Sequence, residues 1–130
     1  MNTPSDTTRL RIRLYFPNGT MFGPGKADLL ALIGQTGSIA AAGRKLGMSY
    51  KRAWGLVDTM NNMFGEPLVT SSRGGAAHGG ATVTETGERV LALYRKLQEN
   101  SRSASATEIA TLQGLLTRSE SQPLDIAKQK

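Results

Sequence analysis

The chain has no cysteine and a single histidine, His78, among its 130 residues. Disulfides, thiol nucleophiles and thiolate metal sites are therefore excluded, and no histidine cluster can form. No carboxylate pair, nucleophile beside a base or metal-ligand spacing appears either, so no catalytic residue, metal or cofactor is expected. Aromatic residues are scarce, three Phe, three Tyr and one Trp. A core must then come largely from Leu, Ile, Val, Ala and Met, and a core that small often leans on a partner subunit. No apolar run reaches the roughly 20 residues of a membrane span, and Met1 to Arg9 is polar with no apolar signal core behind it. A cytoplasmic protein with no membrane partner is expected. Negative charge is also short, with 10 Asp and Glu against 16 Lys and Arg for a net +6. That balance favours a polyanionic partner, although a merely solvated basic surface explains it as readily.

What the chain does contain is a succession of short, well punctuated segments. Residues 1–8 are polar and expected to be disordered. Arg9 to Phe16 alternates basic and apolar side chains with the period of a strand, which would turn Leu10, Ile12 and Leu14 to a core and Arg9, Arg11 and Arg13 away from it. Those arginines read either as phosphate contacts or, the preferred reading, as a solubilising edge. Asn18-Gly19 is a strong hairpin signal, and Thr20 to Phe22 is the expected return strand. From Lys26 to Gln35 the leucines recur at helical spacing, and Thr36-Gly37 supplies a stop. Ser38 is placed to cap a short Ala-rich helix over residues 39–46, ended by Gly47. Ser49 then caps a longer one, Tyr50 to Met63, with one apolar stripe through Ala53, Leu56, Val57, Met60 and Met63.

Leu68 to Ser72 and Ala81 to Thr84 read as a hairpin around a Gly-rich tip, Arg73 to Gly80. A last helix, capped by Thr84 or Thr86, runs through Val90, Leu93, Tyr94 and Leu97. Its pattern weakens at residues 100–105 and resumes at Ile109, Leu112, Leu115 and Leu116, which predicts one long helix bent between. The polar stretch 118–130, with Pro123, is expected to be a flexible tail. The expected organisation is thus a domain over 9–98, a helical extension over 99–117 and the tail.

This chain order is that of a winged helix-turn-helix. The expected class is α+β, mostly α, with an N-terminal β-ribbon and a long C-terminal dimerisation helix. In that arrangement the N-terminal end of the second capped helix enters the major groove of duplex DNA. If Ala53, Val57 and Met60 point inward, then at about 100° per residue Lys51, Gly55, Asp58 and Asn62 point outward, with Arg52 and Thr59 on the flank. Lys51 and Arg52 are the leading candidates for DNA contact, and Gly55 would let the helix lie close to the groove wall. Trp54 reads as structural, while Tyr50 reads either as a packing residue or as a backbone contact. Ser38, Arg44 and Lys45 are candidates for holding phosphates, their alternative roles being capping and solvation. The segment 73–80 lacks the Gly-Lys-Ser/Thr ending of a nucleotide loop. As a wing it would offer Arg73, His78, Ser71 and Ser72 to the DNA, or it is simply a mobile loop.

Several separated blocks carry a more specific likeness. Gln35-Thr-Gly-Ser-Ile-Ala40, Leu46-Gly-Met-Ser-Tyr-Lys-Arg-Ala-Trp54, Met60-Asn-Asn-Met-Phe-Gly-Glu-Pro-Leu-Val69 and Thr84-Glu-Thr-Gly87 after a Gly-Gly wing occur in order. Over Arg9 to Gln98 the chain resembles the N-terminal domain of the ModE family of molybdate-dependent transcriptional regulators. The resemblance implies a palindromic DNA operator, Ser49 to Arg52 in the recognition helix, and a homodimer formed partly through the last helix. Leu10, Ile12, Val90, Leu93, Tyr94 and Leu97 are the expected subunit contacts. Full-length members carry C-terminal molybdate-binding domains of β-barrel type, whereas about 30 polar, helix-patterned residues follow the matched region here. A chain without that sensing domain is therefore expected, with any small-molecule or oxyanion effector left unassigned. Two other functions fit the same residues: a protein-interaction module on a winged-helix scaffold, and an oxyanion-responsive sensor built on the Gly-rich loop.

Overall fold

Pro24 and Gly37 bracket the first helix as their backbone chemistry requires. Pro24 occupies the first turn, where its missing N–H costs nothing. Gly37 takes the left-handed conformation (φ 72°) and donates its N–H to the Ile33 carbonyl at 2.8 Å. In this computed structural model, which describes residues 8–72 and 80–117, α1 spans Pro24–Thr36, two residues ahead of the expected Lys26 start because proline is suited to that position. Residues 11–98 form one compact unit.

Ahead of α1, β1 (Leu14–Tyr15) pairs antiparallel with β2 (Met21–Phe22), in the register Leu14 to Phe22 and Tyr15 to Met21. The Asn-Gly turn forms between them. Gly19 sits at φ 86°, and the Asn18 side chain accepts from the Thr20 N–H at 3.1 Å. The ribbon is shorter than the alternation suggested. Because the chain turns into α1 straight after Phe22, residues 9–13 have no strand opposite and pair with none. Their alternation nonetheless persists in burial, with Leu10, Ile12 and Leu14 half-buried and Arg9, Arg11 and Arg13 exposed.

Ser38 and Ser49 cap the next two helices as their positions predict. Ser38 Oγ accepts from the Ala41 N–H at the start of α2 (Ile39–Lys45), and Ser49 Oγ from the Arg52 N–H at the start of α3 (Tyr50–Met63), both at 3.0 Å. Gly47, at φ 74°, turns the chain between them. A β-carbon at Gly43 of α2 would stand 3.0 Å from Ala53 Cβ, so the missing side chain is what lets α2 and α3 lie this close.

The wing strands follow. β3 (Val69–Ser72) and β4 (Gly80–Val83) pair antiparallel from Val69 opposite Val83 to Ser72 opposite Gly80. Asn61 of α3 holds the base of β3: its Oδ1 accepts from the N–H groups of Leu68 (2.8 Å) and Val69 (3.0 Å), and its Nδ2 donates to the Val69 carbonyl (2.9 Å). Thr84 Oγ1 accepts from the Gly87 N–H at 3.0 Å, opening α4 (Glu85–Ala104). At Gly87 a β-carbon would overlap the Leu68 carbonyl oxygen and come within 2.8 Å of Val83 Cγ1. Only glycine lets α4 cross here. The core joins Leu29, Leu30 and Ile33 of α1 to Ala42 of α2, Ala53, Val57 and Met60 of α3, Leu68, Phe22 and Tyr94. This is the expected α+β winged helix-turn-helix.

Residues 99–117, with Thr8 to Leu10, belong to a second unit. Here the expected single bent helix is two. The α4 helix ends at Ala104, Ser105 returns its side-chain O–H to the Ser101 carbonyl at 2.5 Å, and α5 spans Ala106–Gly114. That bond offers the backbone an alternative to continuing the helix, in keeping with the weak pattern over 100–105. None of the α5 residues is buried, and Leu112, Leu115 and Leu116 are exposed.

Candidate nucleic-acid interface

The outer face of α3 follows from its buried one. With Ala53, Val57, Met60 and Met63 in the core, the residues left in solvent are Tyr50, Lys51, Arg52, Gly55, Asp58, Thr59 and Asn62. Ser49, Lys51, Arg52, Gly55 and Thr59, with Leu56, line a shallow depression of about 430 Å³ along the helix. Its N-terminal end carries the two cations together with the first-turn N–H groups, and the Ser49 oxygen satisfies one of those N–H groups. Such an end can receive anionic oxygens, and its exposed Arg and Lys can reach either phosphates or base edges. Tyr50 is exposed and stands edge-on to Trp54, ring centroids 6.3 Å apart, with Trp54 half-buried against the core. Trp54 is thus a packing residue, and Tyr50 leans on it while remaining exposed.

In α2 the half-buried Ser38 spends its oxygen on the cap, whereas Arg44 and Lys45 in the last turn are exposed. Their positive charges also suit the negative end of the helix dipole. Arg73 and His78, together with the rest of the wing tip, lie outside the described residues, as does the Ser72 side chain.

Sequence reasoning missed Lys26. Half-buried in the first turn of α1, it has its pKa lowered from 10.5, chiefly by desolvation and then by the Arg52 guanidinium. The positive charge of Arg52 near the N-terminus of α3 is thus felt by a cation of a separate helix. Nothing in the local pattern marks Lys26, because its neighbour Arg52 lies 26 residues away.

A second, apolar surface lies on the same unit. Leu14, Phe16, Phe64, Val90, Leu93 and Leu97 border a groove of about 350 Å³, and Leu93 is 60% exposed. Tyr94, one of the expected subunit contacts, is a core residue of this unit. It is 3% exposed, its ring meets Phe22 edge-on at 5.2 Å, and its hydroxyl donates to the Ile12 carbonyl. Its place on the apolar stripe of α4 fits a core position as well as a subunit contact, and here the core claims it. Ile12 and Leu10 are half-buried. Among the described residues no group of His, Asp and Glu is placed to hold a metal ion, and no helix is long and apolar enough to cross a membrane.

Comparison with known proteins points the same way. Residues 27–88, from α1 into the first turn of α4, match the family described as bacterial regulatory helix-turn-helix protein, lysR family. The chain is 48% identical over 80 residues to the molybdenum-pterin-binding protein MopB of Rhodobacter capsulatus, a match covering 62% of this chain and 30% of that protein. It is 42% identical over 86 residues to the molybdenum transport protein ModE of Azotobacter vinelandii, covering 66% and 32%. With the transcriptional regulator ModE of Haemophilus influenzae it shares 32% identity over 113 residues, 85% of this chain and 44% of that one. The chain is thus similar to a lysR-type helix-turn-helix and to proteins named ModE and MopB. The chain spans less than half the length of each of these relatives. The lysR-family match takes in α2, α3 and both wing strands, the elements that position the exposed cations.

Proposed function

We propose that the chain is a sequence-specific DNA-binding transcriptional regulator that acts as a homodimer on a palindromic operator. The observation that carries this is the N-terminal end of α3, where Lys51 and Arg52 stand exposed on a helix fixed from behind by Ala53 and Val57. Arg52 supplies a planar fork for a guanine edge or a phosphate, and Lys51 a point charge. Ser49, Tyr50, Arg44, Lys45 and the wing residues Arg73 and His78 fix the register through the backbone, with Ser38 contributing as the α2 cap. The dimer pairs the apolar groove with its copy through Val90, Leu93 and Leu97. Leu93, an exposed leucine in apolar surroundings, is the observation that favours it. Tyr94 and Ile12 support that surface from beneath.

The test is a fluorescence-anisotropy titration against a pool of random duplex DNA at low and moderate salt, with sequencing of the bound fraction. The expected result is selection of a palindrome and binding that falls steeply with salt. Lys51→Ala should lower the salt slope by about 1, and Arg52→Ala should cost about 1–3 kcal/mol and relax the preference at one position of each half-site. Indifference of the unaltered protein to duplex DNA at low salt would favour the interaction-module reading instead.

A further inference from the structure

We propose that a basic track leads from the recognition helix across the start of α1 to the opening extended segment, and that Arg13 and Arg11 at its outer end grip duplex backbone beyond the groove that α3 enters. This rests on the DNA-binding reading of α3. The track is assembled from contacts between elements distant in sequence. Arg52 of α3 acts on Lys26 of α1. Three residues before Lys26, Gly23 is buried, and a β-carbon there would stand 3.0 Å from Arg13 Cγ. The stem of Arg13 therefore packs closely over the backbone at the entry to α1. The charges of Arg11 and Arg95 both act on the Tyr94 phenol, as does that of Asp28.

Arg11 and Arg13 are exposed, two residues apart in extended chain, which sets them about 6.6–6.8 Å apart on one side. They are also held there. The Tyr94 hydroxyl donates to the carbonyl of Ile12, the residue between them, and Ile12 and Leu14 are half-buried. Fixing the backbone in advance reduces the ordering that binding would otherwise cost. Protection of a sheet edge does not account for these arginines, because residues 9–13 belong to no strand. Nor does internal pairing: among the described residues the one salt bridge is Arg102 with Glu99, and Arg11, Arg13, Lys26 and Arg52 have none. Like charges along one path, none of them in a salt bridge, are complementary to a line of phosphates, and arginine is the side chain that grips phosphate by a fork.

The test compares Arg11→Ala/Arg13→Ala with Arg89→Ala/Lys96→Ala, which removes the same charge from exposed positions of α4 that the proposed track does not include, on random-sequence duplex about three helical turns long. The track predicts that the first variant lowers the slope of log K against log[salt] by about 2, at close to 0.9 per lost phosphate contact, while the second leaves it unchanged. An unaltered slope in the first variant overturns the track even though the protein binds DNA. So does an equal drop in both variants, which would mark a generic charge effect. If the unaltered protein shows no salt-dependent binding, the DNA-binding reading falls first and the track with it.

Discussion

Gly55 separates what α3 needs to fold from what its outer face needs to do. It lies in the middle of a 14-residue helix, exposed, and a β-carbon there would meet nothing within 4 Å. In a helix interior glycine is less favourable than alanine by about 0.8–1 kcal/mol, so Gly55→Ala should stabilise the free protein by about that amount. For a compact unit of this size the thermal midpoint should rise by roughly 4–8 °C. The same methyl, however, points out between Lys51 and Asp58. If that face lies against a groove wall, an added methyl in a closely fitted contact costs about 1–3 kcal/mol, a loss of roughly 5- to 150-fold in affinity. Thermal unfolding followed by circular dichroism reads the first effect, and anisotropy on the selected operator reads the second. A stabilised Gly55→Ala that binds DNA as well as the unaltered protein would refute the placement of this face in the groove. A variant with no gain in stability would show instead that the helix-interior argument fails at this position.

Two titratable groups give further predictions. Burial and Arg52 lower the Lys26 pKa below 10.5, so between that lowered value and 10.5 the unfolded chain binds more protons and stability rises with pH. The penalty is in full force below that window, and Lys26→Met should remove it, raising stability at neutral pH while weakening DNA binding; melting and anisotropy together check the opposed signs. Tyr94 behaves in reverse, since burial raises its pKa above 10.0 and the stability it contributes is complete below pH 10.0 and lost as pH climbs through the raised value. Tyr94→Phe should cost about 1 kcal/mol at neutral pH, by leaving the Ile12 carbonyl without its donor, and should flatten the loss of stability in alkali, as urea titrations at several pH values would report.

The features legible in the sequence are those decided by a few consecutive residues. Ser38 and Ser49 announce their caps, Gly37 and Gly47 their left-handed turns, and Asn18-Gly19 its hairpin, because each conformation is chosen by the residue's own backbone or side-chain oxygen. The exposed face of α3 was equally legible, since a helix with one apolar stripe has one opposite side. Pairing is different. Arg9 to Arg13 has the pattern of a strand and the burial of one, yet lacks a partner because β2 is only two residues long. Tyr94 and Leu93 occupy one stripe of α4, and sequence alone does not tell which meets its own core and which is left to solvent. Lys26, Asn61 and Gly87 owe their roles to Arg52, β3 and the Leu68 carbonyl, none of which is a close neighbour in sequence.

Those non-local contacts explain how a small core can hold a functional surface still. The α3 helix is clamped on both sides: α2 approaches it through Gly43, and Asn61 binds the base of β3 with three hydrogen bonds. Gly87 then brings α4 against the same Leu68 whose N–H Asn61 caps. The helix carrying Lys51 and Arg52 is therefore joined directly to the strand leading into the wing. Two DNA-contacting elements separated by a flexible joint would each have to be ordered on binding, whereas elements tied by short hydrogen bonds and close backbone approaches arrive already spaced. On this view the glycines at 43 and 87 serve DNA recognition from positions that touch no DNA, because each sets how near a supporting element comes to α3 or to the wing.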